Sequence, residues 1–154
     1  MTEPKLIDNF IGGSYVSPKT SEEYLDVTSP SDNRVIAKVA LSDEDDVEHA
    51  VQLAAQAQIA WGQRTMQSRA AVLLRYYSLM QNHMDELADL IVLENGKNKT
   101  EALADIAKGN ETLLYAISLP PVAAGKLLTV STGISCQENR KPLGVVASIV
   151  PLYV

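Results

Sequence analysis

The chain has 154 residues, enough for one ordinary domain, and its 46% hydrophobic and 21% charged residues exclude an intrinsically disordered protein. A net charge of −6 without a Lys/Arg cluster makes nucleic acid a poor partner, and no apolar run reaches the ~18 residues of a membrane span. One cysteine, Cys136, excludes an internal disulfide framework; with no apolar leader and no Arg-rich presequence, the expected compartment is the cytoplasm.

The first forty residues read as strands. Phe10-Ile11 and Ser14-Tyr15-Val16 flank Gly12-Gly13, which predicts a hairpin turning on the glycine pair. Tyr24-Leu25-Asp26-Val27 is a short strand, and Ser29-Pro30-Ser31-Asp32-Asn33 is a turn of residues that bond their own backbone. Arg34 to Ala40 alternates Val35, Ala37 and Val39 on one face.

Three helices are predicted next. Ser42 with Asp45 is a capping-box start, and the acidic run Asp43–Asp46 suits the positive end of a helix dipole rather than a cation. Val47, Ala50, Val51, Ala54, Ala57 and Trp61 form one apolar stripe ending at Gly62. In the second helix Met66, Ala70, Leu73, Tyr77, Met80, Met84, Leu87 and Ile91 alternate steps of four and three, a continuous seam of about 37 Å stopped by Asn95-Gly96. The third carries Ala102, Ile106, Gly109, Leu113 and Ala116 and is limited by Pro120-Pro121. Leu127 to Val130 and Ile134 to Asn139 then form a hairpin about Ser131-Thr132-Gly133.

Leu143 to Val150 is almost wholly apolar and is closed by Pro151, the pattern of a parallel strand covered on both faces. Such a strand needs a crossover and a second strand to pair with, and only Leu152, Tyr153 and Val154 follow. The expectation is an incomplete α/β body whose eight seam residues, each worth ~1.5–3 kcal/mol if fully buried, lack part of their cover. It is expected to be marginal in isolation, a molten bundle or an oligomer.

No metal-ligand spacing and no G-x-G-x-x-G is present. His49 and His83 fall on the polar sides of the first two helices and read as solvated rings. Cys136 lies in the polar segment Ser135-Cys136-Gln137-Glu138, without the basic neighbour that activates a thiol.

The order of these segments resembles the N-terminal third of an aldehyde dehydrogenase. Phe10-Ile11-Gly12-Gly13 is similar to that family's opening strands. Ser29-Pro30 with Val35-Ile36-Ala37-Lys38-Val39 is similar to its next strand, and Ala50, Ala54, Ala57 and Trp61 to its alanine-rich helix. Glu94-Asn95-Gly96-Lys97 resembles "E-x-GK", and Arg140 with Pro142-Leu143-Gly144-Val145 resembles "R-x-PLGV". Ser68-Arg69, Val72–Tyr76, Gly125 and Val130-Ser131 are similar to the methylmalonate-semialdehyde dehydrogenase branch.

The resemblance implies a fold of N-terminal strands, three helices, a bridging hairpin and the first strand of a nucleotide-binding sheet. Residues 1–154 would be a truncated cofactor-binding part, 127–139 an oligomerisation hairpin, and the catalytic domain would be absent. It implies NAD as the intact family's cofactor and oxidation of (methyl)malonate semialdehyde to an acyl-CoA in valine catabolism, through a nucleophilic cysteine beyond residue 154. That role does not transfer to Cys136, so no catalytic residue is assigned. The backbone of Ile149, Val150 and Pro151 would border the nicotinamide ribose as a remnant of the cofactor edge, without holding NAD tightly. Tyr153 stands where the family's oxyanion-binding asparagine follows that proline. Implied partners are a second copy of the chain or a full-length dehydrogenase subunit, with neither nucleic acid nor membrane. Intact relatives can also reside in the mitochondrial matrix.

Overall fold

The computed structural model describes residues 3–19 and 23–150. The strands are β1 (Lys5–Ile7), β2 (Asn9–Ile11), β3 (Ser14–Val16), β4 (Tyr24–Thr28) and β5 (Val35–Ala40). The helices α1 (Glu44–Gly62), α2 (Met66–Asn82), α3 (Met84–Asn95), α4 (Lys99–Ile117) and α5 (Leu119–Val122) follow, then β6 (Leu127–Ser131) and β7 (Ile134–Gln137).

β2 and β3 pair antiparallel with Phe10 opposite Tyr15. Gly12 and Gly13 close the turn at φ 63° and 88°, a conformation only glycine adopts cheaply at both positions. β1 lies parallel to β5, with Lys5 opposite Ala37, while β4 runs antiparallel on the other side, giving the order β1-β5-β4. β1 is three residues of mixed polarity, too short to show a period, and the sequence reading passed over it. The Ser29–Asn33 turn is as expected: the Asn33 N–H donates to the Ser29 carbonyl at 2.8 Å, with Asn33 at φ 57°.

α1 starts one residue later than expected. Asp43 is its N-cap and Asp46 completes a reciprocal capping box. A carboxylate accepts the orphan amide better than the Ser42 hydroxyl, which instead donates to Asn9 Oδ1 at 2.9 Å. Asp46 is buried because it also accepts the Lys19 N–H at 3.1 Å, fastening the segment after β3 across the first turn.

The long seam helix is two helices, not one. His83 sits at φ −113°, ψ 18°, closing α2 and opening α3. Asp85 and Glu86 then occupy a fresh first turn, where acids are favoured, and His83 Nδ1 meets Glu86 Oε2 at 2.9 Å. The four-three spacing continues through this break, so Met80, Met84, Leu87 and Ile91 still face one core of Ala88, Ala102 and Ile106. α4 presents Ala102, Ile106 and Asn110 inward, so Asn110 takes the buried position expected for Gly109. A one-turn α5 holds the Pro120-Pro121 pair in its first turn, where missing N–H groups cost nothing. Among the described residues five helices therefore stand where three were expected.

Two expected coverings are missing among the described residues. The α1 stripe is largely exposed, including Val47, Val51 and Trp61. Residues 143–150 form no strand: Leu143 is 94% exposed and Ile149 101%. A parallel strand exists only through its neighbours, and the described residues provide none beside this run.

Candidate functional site

The family resemblance puts a cofactor edge at Ile149, Val150 and Pro151, at the far end of the run after β7, and the start of that run lies beside the C-terminal end of α1. Pro142 packs beside Gly62, whose added Cβ would lie 3.7 Å from Pro142 Cγ. Gly144, Val145 and Val146 then form one wall of a cleft of about 540 Å³, with Ala54, Ala57 and Trp61 opposite. Small residues on that face of α1 leave room for the run to approach. The Arg64 guanidinium lies 5.5 Å from the Trp61 ring centroid, a cation–π contact at the cleft's rim. Apart from Arg64 and the amide of Gln58 its lining is apolar and carries no carboxylate, thiol or imidazole.

Ile149 projects fully into solvent and Val150 is 77% exposed, while Pro151 lies outside the described residues. Among the described residues none covers Ile149, so that edge of the run stands open. No redox step is therefore derived from them.

The remaining candidates are dispersed. Cys136 is a free, exposed thiol on β7, opposite Leu128 of β6. His83 is the exposed ring at the α2–α3 break. His49 departs from the expected solvated ring: its Nδ1 is buried without a hydrogen-bond partner. It lies one turn beyond Asp46, whose carboxylate accepts the Lys19 N–H. Among the described residues no group of three or more His, Cys, Asp or Glu side chains could hold a metal ion, and no helix is long and apolar enough to cross a membrane.

Two polar features inside the helical layer escaped sequence reasoning. The Lys97 ammonium donates to Asp105 Oδ2 in a nearly buried ion pair. It fastens the α3–α4 corner, where Gly96 at φ 79° passes so close to Pro30 that a Cβ would sit 2.9 Å from Pro30 Cγ. The "E-x-GK" motif marked this corner but not the burial of its lysine. Asn110 is buried with both amide atoms unbonded. At the helix surface Lys99 joins α4 to α3 through Asp89 Oδ1 at 2.5 Å and the Asp85 carbonyl at 2.8 Å. The Asp89 hydrogen bond holds its pKa above the ordinary 10.5. The Lys108 pKa is likewise raised by its hydrogen bond to Glu111.

These strands, the split helix and the hairpin define the front of a dehydrogenase fold. The model of the aldehyde dehydrogenase family matches residues 15–152, and the chain belongs to that family. Malonate-semialdehyde dehydrogenase of Bacillus velezensis is 38% identical over 152 residues, which are 98% of this chain and 31% of that one. The enzyme of the same name from Bacillus subtilis strain 168 is 36% identical over the same shares. The chain thus spans about a third of the curated relatives it matches. Among solved structures, a Sinorhizobium meliloti protein assigned as a methylmalonate-semialdehyde dehydrogenase, complexed with NAD, superposes with TM-score 0.88 at 29% identity, covering 94% of this chain and 29% of that one. Methylmalonate-semialdehyde dehydrogenase from Oceanimonas doudoroffii gives 0.85 at 27% identity over 90% and 28%.

Proposed function

We propose that this chain is the N-terminal part of an NAD-dependent, CoA-acylating dehydrogenase of malonate or methylmalonate semialdehyde, and that it has no turnover alone. The observation that carries this reading is the 98% coverage of the chain by a malonate-semialdehyde dehydrogenase of which it spans 31%. Its role is then structural and cofactor-bordering. Pro142 and Gly144–Val146 lie beside α1, and the backbone of Ile149, Val150 and Pro151 would form one margin of the nicotinamide-ribose side when the rest of the fold is present. Cys136, exposed on the hairpin, is not the nucleophile.

A fused chimera tests this: residues 1–150 of this chain replace the matching segment of the Bacillus subtilis enzyme. It is expected to convert malonate semialdehyde, NAD and coenzyme A into NADH and an acyl-CoA, while the 154-residue chain forms none. A folded chimera without turnover sinks the enzymatic assignment.

A second reading has its own observation. Every described residue of β6 and β7 is exposed, with Leu127, Leu128, Val130 and Ile134 all open to solvent. The hairpin suits association with a second copy or with a full-length dehydrogenase subunit. Size-exclusion chromatography of the chain with such a subunit decides it, since a true partner co-elutes and charged replacements at Leu128 and Val130 abolish co-elution.

A further inference from the structure

Arg69 is a half-buried cation without a counter-ion. Arg34 and Arg140 pair with Asp32 and Glu138, while Arg64 and Arg75 are exposed and water serves them. Arg69 is partly withdrawn from water, and among the described residues its guanidinium forms no ion pair and no hydrogen bond. A charge in that position is stabilised most by a partner of opposite sign that also accepts its N–H groups.

The residue lines a pocket of about 260 Å³ where the end of α1 meets α2, with the end of α4 and the start of α5 opposite. Trp61, Leu73, Ala116, Leu119 and Pro120 give it apolar walls. The chain has 19 acidic residues, yet none lies between Glu48 and Asp85, a stretch that includes all of α2 and most of α1. None lies between Glu111 and Glu138 either, which covers the opposite wall. Neither wall can therefore supply the carboxylate that Arg69 lacks. The pocket shares Trp61 with the cleft at Gly144–Val146, and no other lining residue.

The class of ligand follows from the walls. One guanidinium among apolar side chains suits a monoanion with an apolar body. A phosphate group would leave most of its hydrated oxygens against carbon. A carboxylate matches the planar guanidinium fork with two parallel bonds. At ~30 Å³ for each water-sized group, the pocket has room for roughly eight, about the size of a six-carbon fatty acid. We propose that the Arg69 pocket binds a short-chain aliphatic carboxylate, with the carboxylate on the guanidinium and the chain along Trp61 and Leu73. Binding there is independent of the enzymatic reading above.

Trp61 is the chain's single tryptophan, so its fluorescence reports on this pocket. Titration of the purified chain with hexanoate at constant ionic strength should give a saturable change in the millimolar range. Neutral hexan-1-ol should bind at least about tenfold more weakly, because it cannot pair with the guanidinium. Arg69→Gln should weaken hexanoate by at least about tenfold, whereas Arg64→Gln, at the rim of the neighbouring cleft, should leave it within about twofold. In the unaltered chain, hexanoate should slow the modification of Arg69 by an arginine-directed dicarbonyl and leave that of Arg75 unchanged, a readout that needs no variant to fold. Absence of a saturable change overturns the proposal, as does equal binding of the alcohol. An Arg69→Gln chain that is native by circular dichroism and binds hexanoate undiminished overturns it too. So does an equal loss in Arg64→Gln, which moves the ligand to the cleft, or equal protection of Arg69 and Arg75.

Discussion

Breaking the Lys97–Asp105 pair from either side should give unequal losses. The Lys97 side chain is 5% exposed and the Asp105 side chain 23%. Removing one partner of a buried pair costs about 3–5 kcal/mol, because the remaining charge is left in a dry site. Asp105→Ala leaves the more enclosed ammonium without its carboxylate and is expected near the upper end, about 4–5 kcal/mol. Lys97→Met leaves a carboxylate that water partly reaches, and about 2–3 kcal/mol is expected. The double variant Lys97→Met/Asp105→Leu removes both charges, so it should fall within about 1 kcal/mol of the unaltered chain. Against a typical total of ~5–15 kcal/mol these differences are large, and urea unfolding followed by circular dichroism resolves them if the m-value is constant. A double variant as unstable as Asp105→Ala, or a Lys97→Met loss exceeding that of Asp105→Ala, refutes the reasoning.

Gly96→Ala should cost about 1–3 kcal/mol, since it forces a side chain into the left-handed region and against Pro30; an unchanged urea midpoint contradicts this. Asn110→Leu should stabilise the chain by about 1–3 kcal/mol by removing a buried amide without partners, and a loss of stability would show that the amide is bonded. Lys99 has a raised pKa in the folded chain. Its contribution is therefore fully present below the unfolded value near 10.5 and is lost as pH rises through the higher folded value. The urea midpoint of the unaltered chain minus that of Lys99→Met should be positive and flat from pH 7 to about 10, shrink above that, and diminish with salt. A difference that persists unchanged to pH 12 rejects the Asp89 contact as its source.

Local signals were legible wherever a local cause sets the structure. The glycine pair fixed the β2–β3 turn because two positive φ angles in succession have few other solutions. The acidic run located the start of α1 to within one residue, and Asn95-Gly96 located the end of α3. Periodicity failed at His83 because a helix break that preserves the stripe leaves the pattern unaltered. It misplaced Asn110 by one position because helix packing selects a face, not a residue type. The Lys97–Asp105 pair was unreadable because burial of a charge depends on Pro30 and α4 arriving at the same corner. For Leu143–Val150 the pattern correctly described a segment that needs two neighbours. The sequence also showed no crossover and second strand after it, and among the described residues the run pairs with nothing. The cofactor edge at Ile149 and Val150 came from family resemblance, and the geometry adds only that it stands open.

The most direct test of the central claim is calorimetric titration of NAD into the purified 154-residue chain. An exposed edge at Ile149 and Val150 with no enclosing wall predicts no saturable heat at any practical concentration. Stoichiometric, tight binding of the dinucleotide would mean that this chain completes a coenzyme site by itself, and the account would be wrong.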